Sequence, residues 1–260
     1  MTPLFLTMIV LGVVLPVLLA WIWVRRTGQP VKTILIGAGI FFAFAIVLES
    51  LPKLLFFQSG NPVGSYVMSH PWAIILVGAL LAGLFEETGR FIAFRYLLRD
   101  QTHRLTSITY GIGHGGFEAM YLLAMGGIQS MAYAALIESG QFETILATVK
   151  EIEPSQYEAL KAIPQQLAEA SWITLCMSLL ERVSAILIHV ACSIMVFSAV
   201  RSTGKWWLFP LAILLHASVD IFAGFYQQGV ITNVGLLELC IFAWAILFLV
   251  AVYRLVYRRM

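Results

Sequence analysis

Seven apolar runs dominate the 260-residue chain, at roughly residues 3–24, 31–57, 72–98, 105–137, 171–200, 206–227 and 233–256. A hydrocarbon layer about 30 Å thick takes ~20 helical residues to cross. Within it, a helix satisfies its own backbone hydrogen bonds, which an open strand does not. The expectation is therefore an all-α, polytopic helical membrane protein with seven transmembrane helices, forming a single transmembrane domain over residues 1–260. Composition excludes the soluble alternative, because 60% of residues are apolar and only 12% charged, too little polar surface to cover a soluble domain. A net charge of +2 gives no reason to expect nucleic acid. Met1–Leu6 carries no basic segment and the first run is long enough to span, so it reads as a retained helix rather than a signal peptide. Cys176, Cys192 and Cys240 lie in apolar runs without CxxC spacing and read as buried small residues.

The connections orient the spans. Arg25, Arg26 and Lys32 sit in the first connection, Arg95, Arg99 and Arg104 around the third, Arg201 and Lys205 in the fifth, and Arg254, Arg258 and Arg259 at the tail. The second and sixth carry no Lys or Arg, and the fourth has only Lys150 and Lys161. By the positive-inside rule the N-terminus is outside and the C-terminus cytoplasmic. The fourth connection, about 138–170, is then an extracytoplasmic helical loop. It is acidic, with Glu138, Glu143, Glu151, Glu153, Glu158 and Glu169. Phe142, Ile145, Leu146, Val149 and Ile152 recur at helical spacing, and Ser155 and Glu158 have capping-box spacing for a second short helix. The pair reads as a surface hairpin, with a lid or docking element as the alternative.

Polar residues inside the spans set the functional question. Glu86, Glu87 and Arg90 interrupt the third run, and a charge at the bilayer centre costs at least ~2.5–3.5 kcal/mol on insertion scales. Counting ~1.5 Å of rise per residue from the basic ends, Glu87, His114, His189 and His216 all lie about 14–17 Å deep. Four spans of alternating direction thus bring a carboxylate and three imidazoles to one plane. Neighbours one helical turn away are polar too: Arg90 can clamp Glu86 or Glu87, Tyr110 and Glu118 flank His114, Glu181 and Arg182 precede His189, and His216 has Asp220 at i+4. A carboxylate one turn from a histidine fixes its tautomer or completes a metal shell. By contrast Glu49 and Glu238, near the outer ends of their spans, read as interfacial.

Hydrolysing an amide at this depth requires an activated water, a donor for the oxyanion and a pocket sealed from lipid. Three imidazoles (His114, His189, His216), or two with Glu86 or Glu87, could hold Zn²⁺ with one position open for water. HExxH is absent, and Ser193 has no partner pattern that marks a nucleophile. Gly111, Gly113 and Gly116 match GxGxxG, yet no strand precedes them, so dinucleotide binding is not the reading. Gly111, Gly115 and Gly116 instead suit close helix packing beside His114. An ion- or proton-coupled transporter is the alternative from another class, relaying protons through the same buried groups. Against it, no internal repeat is evident and the prolines well inside apolar spans are few, Pro52 near the end of the second and Pro16 in the first.

The ordered set Glu86-Glu87-Thr88-Gly89-Arg90, Tyr110 through His114 to Glu118, Glu181-Arg182 to His189, and His216 through Asp220 resembles the YhfC-type family of intramembrane metalloproteases. The likeness runs from about residue 80 to 222 and loosely over all seven spans. That family is similar in turn to the type II CAAX prenyl endoproteases and the bacterial CPBP (abortive-infection) membrane proteases, with their EExxxR, FxxxH and HxxxN or HxxxD motifs. This chain departs from them in a shorter EExxR, in Tyr110 for Phe, and in the added His189. The resemblance implies an intramembrane peptidase acting on a membrane-associated protein or peptide, in the plasma membrane of a bacterium. It implies that Glu86 activates water with His114 beside it, and that Glu87 and Arg90 support them. His216 with Asp220 would bind metal or stabilise the oxyanion. A similar likeness to a seven-span scaffold subunit of gamma-secretase, itself not a protease, implies the alternative of a non-catalytic membrane scaffold.

Overall fold

The computed structural model describes residues 2–58, 60–152 and 154–260, without the side chains of Pro154 and Ser155. Glu153 of the acidic connection and the Ser155 half of the expected capping box therefore lie outside the described residues. The helices are α1 (Thr2–Thr27), α2 (Val31–Phe41), α3 (Ser50–Phe56), α4 (Pro62–Met68), α5 (Pro71–Ile92), α6 (Leu105–Glu138), α7 (Phe142–Ile152), α8 (Pro154–Lys161), α9 (Ile163–Glu169), α10 (Trp172–Arg201), α11 (Leu208–Gln227) and α12 (Val234–Leu255), and no strand occurs among the described residues. Seven described segments are long and apolar enough to cross a membrane: Thr2–Thr27, Val31–Phe56, Pro71–Leu97, Leu105–Glu138, Trp172–Arg201, Leu208–Gln227 and Val234–Arg259. Many of their large apolar side chains, such as Val17, Leu35, Leu214 and Leu247, point outward. A bilayer, not water, is the environment that tolerates such a surface. The protein is a multi-pass membrane protein.

The chain divides into two compact units, one of Pro16–Ala119 with Leu180–Met260 and one of Met120–Leu179 with the chain up to Leu15. In the larger unit α10 is the central element. Two thirds of its most apolar stretch is buried (67%), against 22% for α11 and for α12. Its Ala191, Ile194 and Phe197 pack in a core with Phe94, Leu98 and Tyr110. Glycine lets the neighbours come this close. A Cβ on Gly111 would stand 2.7 Å from the Cα of Val190, and one on Gly113 would stand 2.2 Å from the carbonyl oxygen of Ile34. So α6 seats α10 on one side and α2 on the other. Gly115 faces Ile186 in the same way, whereas Gly116, also expected to admit a helix, meets only Pro16 at an ordinary 3.5 Å.

Two helices widen into π-helical segments, Phe42–Leu48 after α2 and Ala93–Leu97 after α5. Each closes with an i→i−5 bond, Glu49 N to Phe44 O at 2.9 Å and Leu98 N to Ala93 O at 2.8 Å. Arg201 then satisfies the carbonyls left over at the second, donating from Nη2 to Phe94 O at 3.1 Å and Leu98 O at 2.7 Å. The smaller unit holds α7, α8 and α9. Its core is Leu4, Phe5, Leu167 and Leu175.

Several expectations are corrected. The acidic connection forms three short helices, not two, because Ile163-Pro164 opens a further helix with Pro in its first turn. On α7 only Phe142 is buried, while Ile145 and Ile152 stay exposed. Cys176 and Cys240 are exposed and only Cys192 is buried, since a membrane helix can turn apolar side chains toward lipid as readily as inward. Glu49 and Glu238 are 3% and 6% exposed, so neither behaves as a water-facing interfacial carboxylate. Glu49 is paired with Lys53 at 2.7 Å one turn on.

Candidate active site

The cluster is assembled from α5, α11 and the parts of α6 and α10 that belong to the larger unit. Gly83 sets the approach of α5 to α11, because a Cβ there would lie 2.7 Å from the carbonyl of Ile213. The same close approach brings the stretch of α11 that carries His216 against α5, where Glu87 Oε1 reaches its Nδ1 at 2.8 Å and Glu86 Oε2 lies 4.0 Å from its Nε2. The rings of His114 and His189 are 4.8 Å apart between centroids, and those of His189 and His216 are 5.2 Å apart. His114, His189 and His216 are at most 5% exposed. Phe41, which sequence reasoning missed, closes the other side of His114 with an edge-on ring at 5.3 Å. Apolar residues on α2 carry no periodic mark that distinguishes it.

Adjacent carboxylates take different roles in this geometry. Glu87 is fully buried, 3.1 Å from Arg90 Nη1, and its Oε1 accepts from His216 Nδ1 at 2.8 Å. Glu86 turns the other way. Its Oε2 lies 2.9 Å from His114 Nε2, 3.9 Å from His189 Nδ1 and 4.0 Å from His216 Nε2. One oxygen thus collects an inward-facing nitrogen from each of three helices.

The outer nitrogen of each ring is held by a different group. Tyr110 Oη stands 3.5 Å from His114 Nδ1, Glu87 holds His216, and Glu118 Oε2 makes a short hydrogen bond to His189 Nε2. The expected same-helix partners have therefore exchanged. Glu118 serves His189 across the α6–α10 interface rather than His114 on its own helix, and Asp220 Oδ2 is 3.6 Å from His216 Nε2 instead of holding the tautomer. The reason is geometric: i+4 side chains share a face but point side by side, whereas groups on facing helices meet head-on. Arg182 bonds Glu118 Oε1 at 2.9 Å and also pairs with its neighbour Glu181. Ser193 Oγ donates back to the His189 carbonyl at 2.6 Å, the usual back-bond of a helical serine.

Tautomers follow from these partners. An arginine only donates, and Arg90 Nη2 is 3.0 Å from His189 Nδ1. His189 Nδ1 therefore accepts, its proton sits on Nε2, and both nitrogens are engaged. His216 donates from Nδ1 to Glu87, and its Nε2 faces Glu86 Oε2 and Asp220 Oδ2. The latter oxygen is buried and has no hydrogen-bond partner among the described residues. At 4.0 Å and 3.6 Å from His216 Nε2, these two electron-rich oxygens are too far away to share a hydrogen bond with it directly. Zn²⁺ binds N and O donors at ~2.0–2.2 Å, which puts two donors of one ion about 3–4 Å apart.

The ligating atoms of Glu86, His114 and His189 all lie within 4.8 Å of one another, as do those of Glu87, Cys192 and His216. This buried Glu/His/Cys group is compatible with a metal ion. Cys192 is the residue sequence reasoning set aside; its i+3 spacing from His189 was the available signal. A cavity of about 110 Å³ opens onto the cluster, bounded by Glu86, His189, His216 and Asp220 on one side and by Glu118 and Arg182 on the other. Through Val219 and Ile241 it adjoins an apolar pocket of about 160 Å³ walled by Phe222, Leu237 and Trp244.

The chain matches the family described as YhfC intramembrane metalloprotease over residues 11–241. The chain belongs to the YhfC family. It is 32% identical over 224 residues to "Uncharacterized membrane protein YhfC" of Bacillus subtilis (strain 168), covering 86% of this chain and 84% of that one. No solved structure matches. The region matched to the YhfC family includes every residue of the cluster and ends within α12.

Proposed function

We propose that this chain is an intramembrane peptidase of a bacterial plasma membrane, hydrolysing a peptide bond of a membrane-associated protein or peptide with water activated by Glu86. The observation that carries the reading is the convergence of three histidine nitrogens on Glu86 Oε2 at the edge of a polar cavity. A carboxylate so placed can take a proton from water and return it to the leaving amine, with His114 Nε2 held against the carboxylate at 2.9 Å. Without a bound metal, His216, oriented by Glu87 through Nδ1, would stabilise negative charge on the attacked carbonyl by donating from a protonated Nε2. Arg90 holds Glu87 in place and fixes His189. Glu118, Arg182 and Glu181 hold His189 from the far side and line the way to the cavity. The adjoining apolar pocket suits a bulky apolar side chain next to the scissile bond.

Glu86, His114 and His216, with Asp220, are the residues that would hold a Zn²⁺ ion: Glu86 Oε2 lies 2.9 Å from His114 Nε2 and 4.0 Å from His216 Nε2, Asp220 Oδ2 lies 3.6 Å from the latter, and His189 is already engaged by Arg90. Bound there, the ion would lower the pKa of water and polarise the carbonyl.

The test is cleavage of a membrane-peptide library by purified protein, with Glu86→Gln, His114→Ala and His216→Ala beside it. Each variant is expected to lose at least about 100-fold in rate, as for loss of a positioned acid or base, while eluting as the wild type does. Full activity in Glu86→Gln would overturn the reading. Metal content by mass spectrometry on the same samples is expected near one zinc per chain, lost in the two histidine variants.

A further inference from the structure

Away from the polar cluster, α11 and α12 leave a slot of about 470 Å³ between them, floored by Met195 of α10. Its walls are apolar, with Leu208, Leu211 and Leu215 on one side and Phe248 and Val252 on the other. At its mouth stand Lys205 and Arg259, 54 positions apart in sequence, with Trp207 beside them. Among the described residues neither cation pairs with a carboxylate. From Leu208 to Leu215 the slot follows α11 for about 10 Å, the length of a good part of an acyl chain. Every dimension of this feature has a counterpart in one ligand class. Two unpaired cations complement a phosphodiester, an exposed tryptophan suits the headgroup level, and an apolar slot complements a hydrocarbon tail.

We infer that the α11–α12 slot is a binding site for an anionic phospholipid, its phosphate held by Lys205 and Arg259 and one acyl chain lying against Leu211 and Leu215. The site lies at the ends of α10, α11 and α12 that carry basic residues, the ends expected to meet an anionic leaflet. Because Leu215 precedes His216, the tail would buttress the segment of α11 that carries that histidine. The inference does not depend on peptidase activity.

Native mass spectrometry of the protein, exchanged between nanodiscs of phosphatidylcholine and nanodiscs containing phosphatidylglycerol, tests it. Each basic side chain near a membrane surface adds about fivefold to anionic-lipid binding, and two together add about 30-fold. Wild type is expected to retain phosphatidylglycerol over phosphatidylcholine by that order. The Lys205→Gln/Arg259→Gln pair should bring the ratio near one, while Arg25→Gln/Arg26→Gln, with the same change in net charge, leaves it. Leu211→Trp, which fills the slot without altering charge, should reduce retention of both lipids. Brominated phosphatidylglycerol should quench a tryptophan signal that Trp207→Phe removes, a readout that needs no charge variant to fold. Equal retention of the two lipids by wild type, or loss of preference in the Arg25/Arg26 pair alone, would overturn the inference. So would complete displacement of the lipid by millimolar inorganic phosphate, which would mark a headgroup site without a tail.

Discussion

Glu86 and Glu87 share a peptide bond and almost nothing else. A helix turns about 100° per residue, so adjacent side chains face different neighbours: Glu87 meets Arg90 and His216 behind the site, and Glu86 meets the histidine nitrogens at the cavity. A buried ion pair contributes little net stability, but removing one partner strands the other charge, at about 3–5 kcal/mol. Arg90→Ala is therefore expected to destabilise the folded protein by about that amount, and Glu87→Gln by less, since its amide still reaches His216. The double variant should lose less than the sum of the two, a coupling of about 1–3 kcal/mol for groups in direct contact. Reversible unfolding in mixed SDS–detergent micelles measures all three. Additive losses would show that the 3.1 Å pair is not energetically real. Arg90→Lys should not restore the wild type, because an ammonium cannot serve Glu87 and both the ring and the carbonyl of His189 as the guanidinium fork does.

At the scale of helices, the site depends on how closely backbones approach. Gly83→Ala would push a methyl to 2.7 Å from the Ile213 carbonyl, and backbone cannot yield as a flexible side chain can. The expected result is a displaced α11, a weakened Glu87–His216 bond, and loss of both stability and the proposed cleavage. Gly39 is the control. It is exposed in α2, and a methyl added there would meet nothing within 4 Å, so Gly39→Ala should be neutral or stabilise by up to about 1 kcal/mol. Thermal unfolding monitored by size-exclusion in detergent compares the two. Equal behaviour of the two variants would remove the close-approach account of Gly83. The elements themselves were largely legible, because apolar length is a strong signal and helical rise converts position into depth; that count brings Glu87, His114, His189 and His216 to one plane. Partner choice was not legible. Glu118 for His189, and Glu87 for His216, depend on interhelical register, which one sequence does not carry. The π-helical segments and α4 also escaped, since a widened turn leaves hydrophobic periodicity nearly unchanged.

For the molecule as a whole, function turns on which ends of the seven helices face the cytoplasm. The proposed orientation rests on Arg25, Arg26, Arg104, Arg201, Lys205, Arg258 and Arg259, all at one set of helix ends, against a fourth connection rich in glutamate. It decides from which side water and substrate reach the cavity, and whether the lipid slot meets an anionic leaflet. Single cysteines read it directly. Cys176 and Cys240 are exposed and must first be replaced, whereas buried Cys192 can remain. Gln141 and Thr203 are both exposed, the first just before α7 and the second between α10 and α11. A membrane-impermeant maleimide added to intact cells is expected to label Gln141→Cys, and to label Thr203→Cys only after permeabilisation. The reverse pattern would invert the molecule, put α7, α8 and α9 in the cytoplasm, and turn the lipid slot toward the outer leaflet. The geometry of the Glu/His cluster would be unchanged, but a peptide would then have to enter from the opposite side.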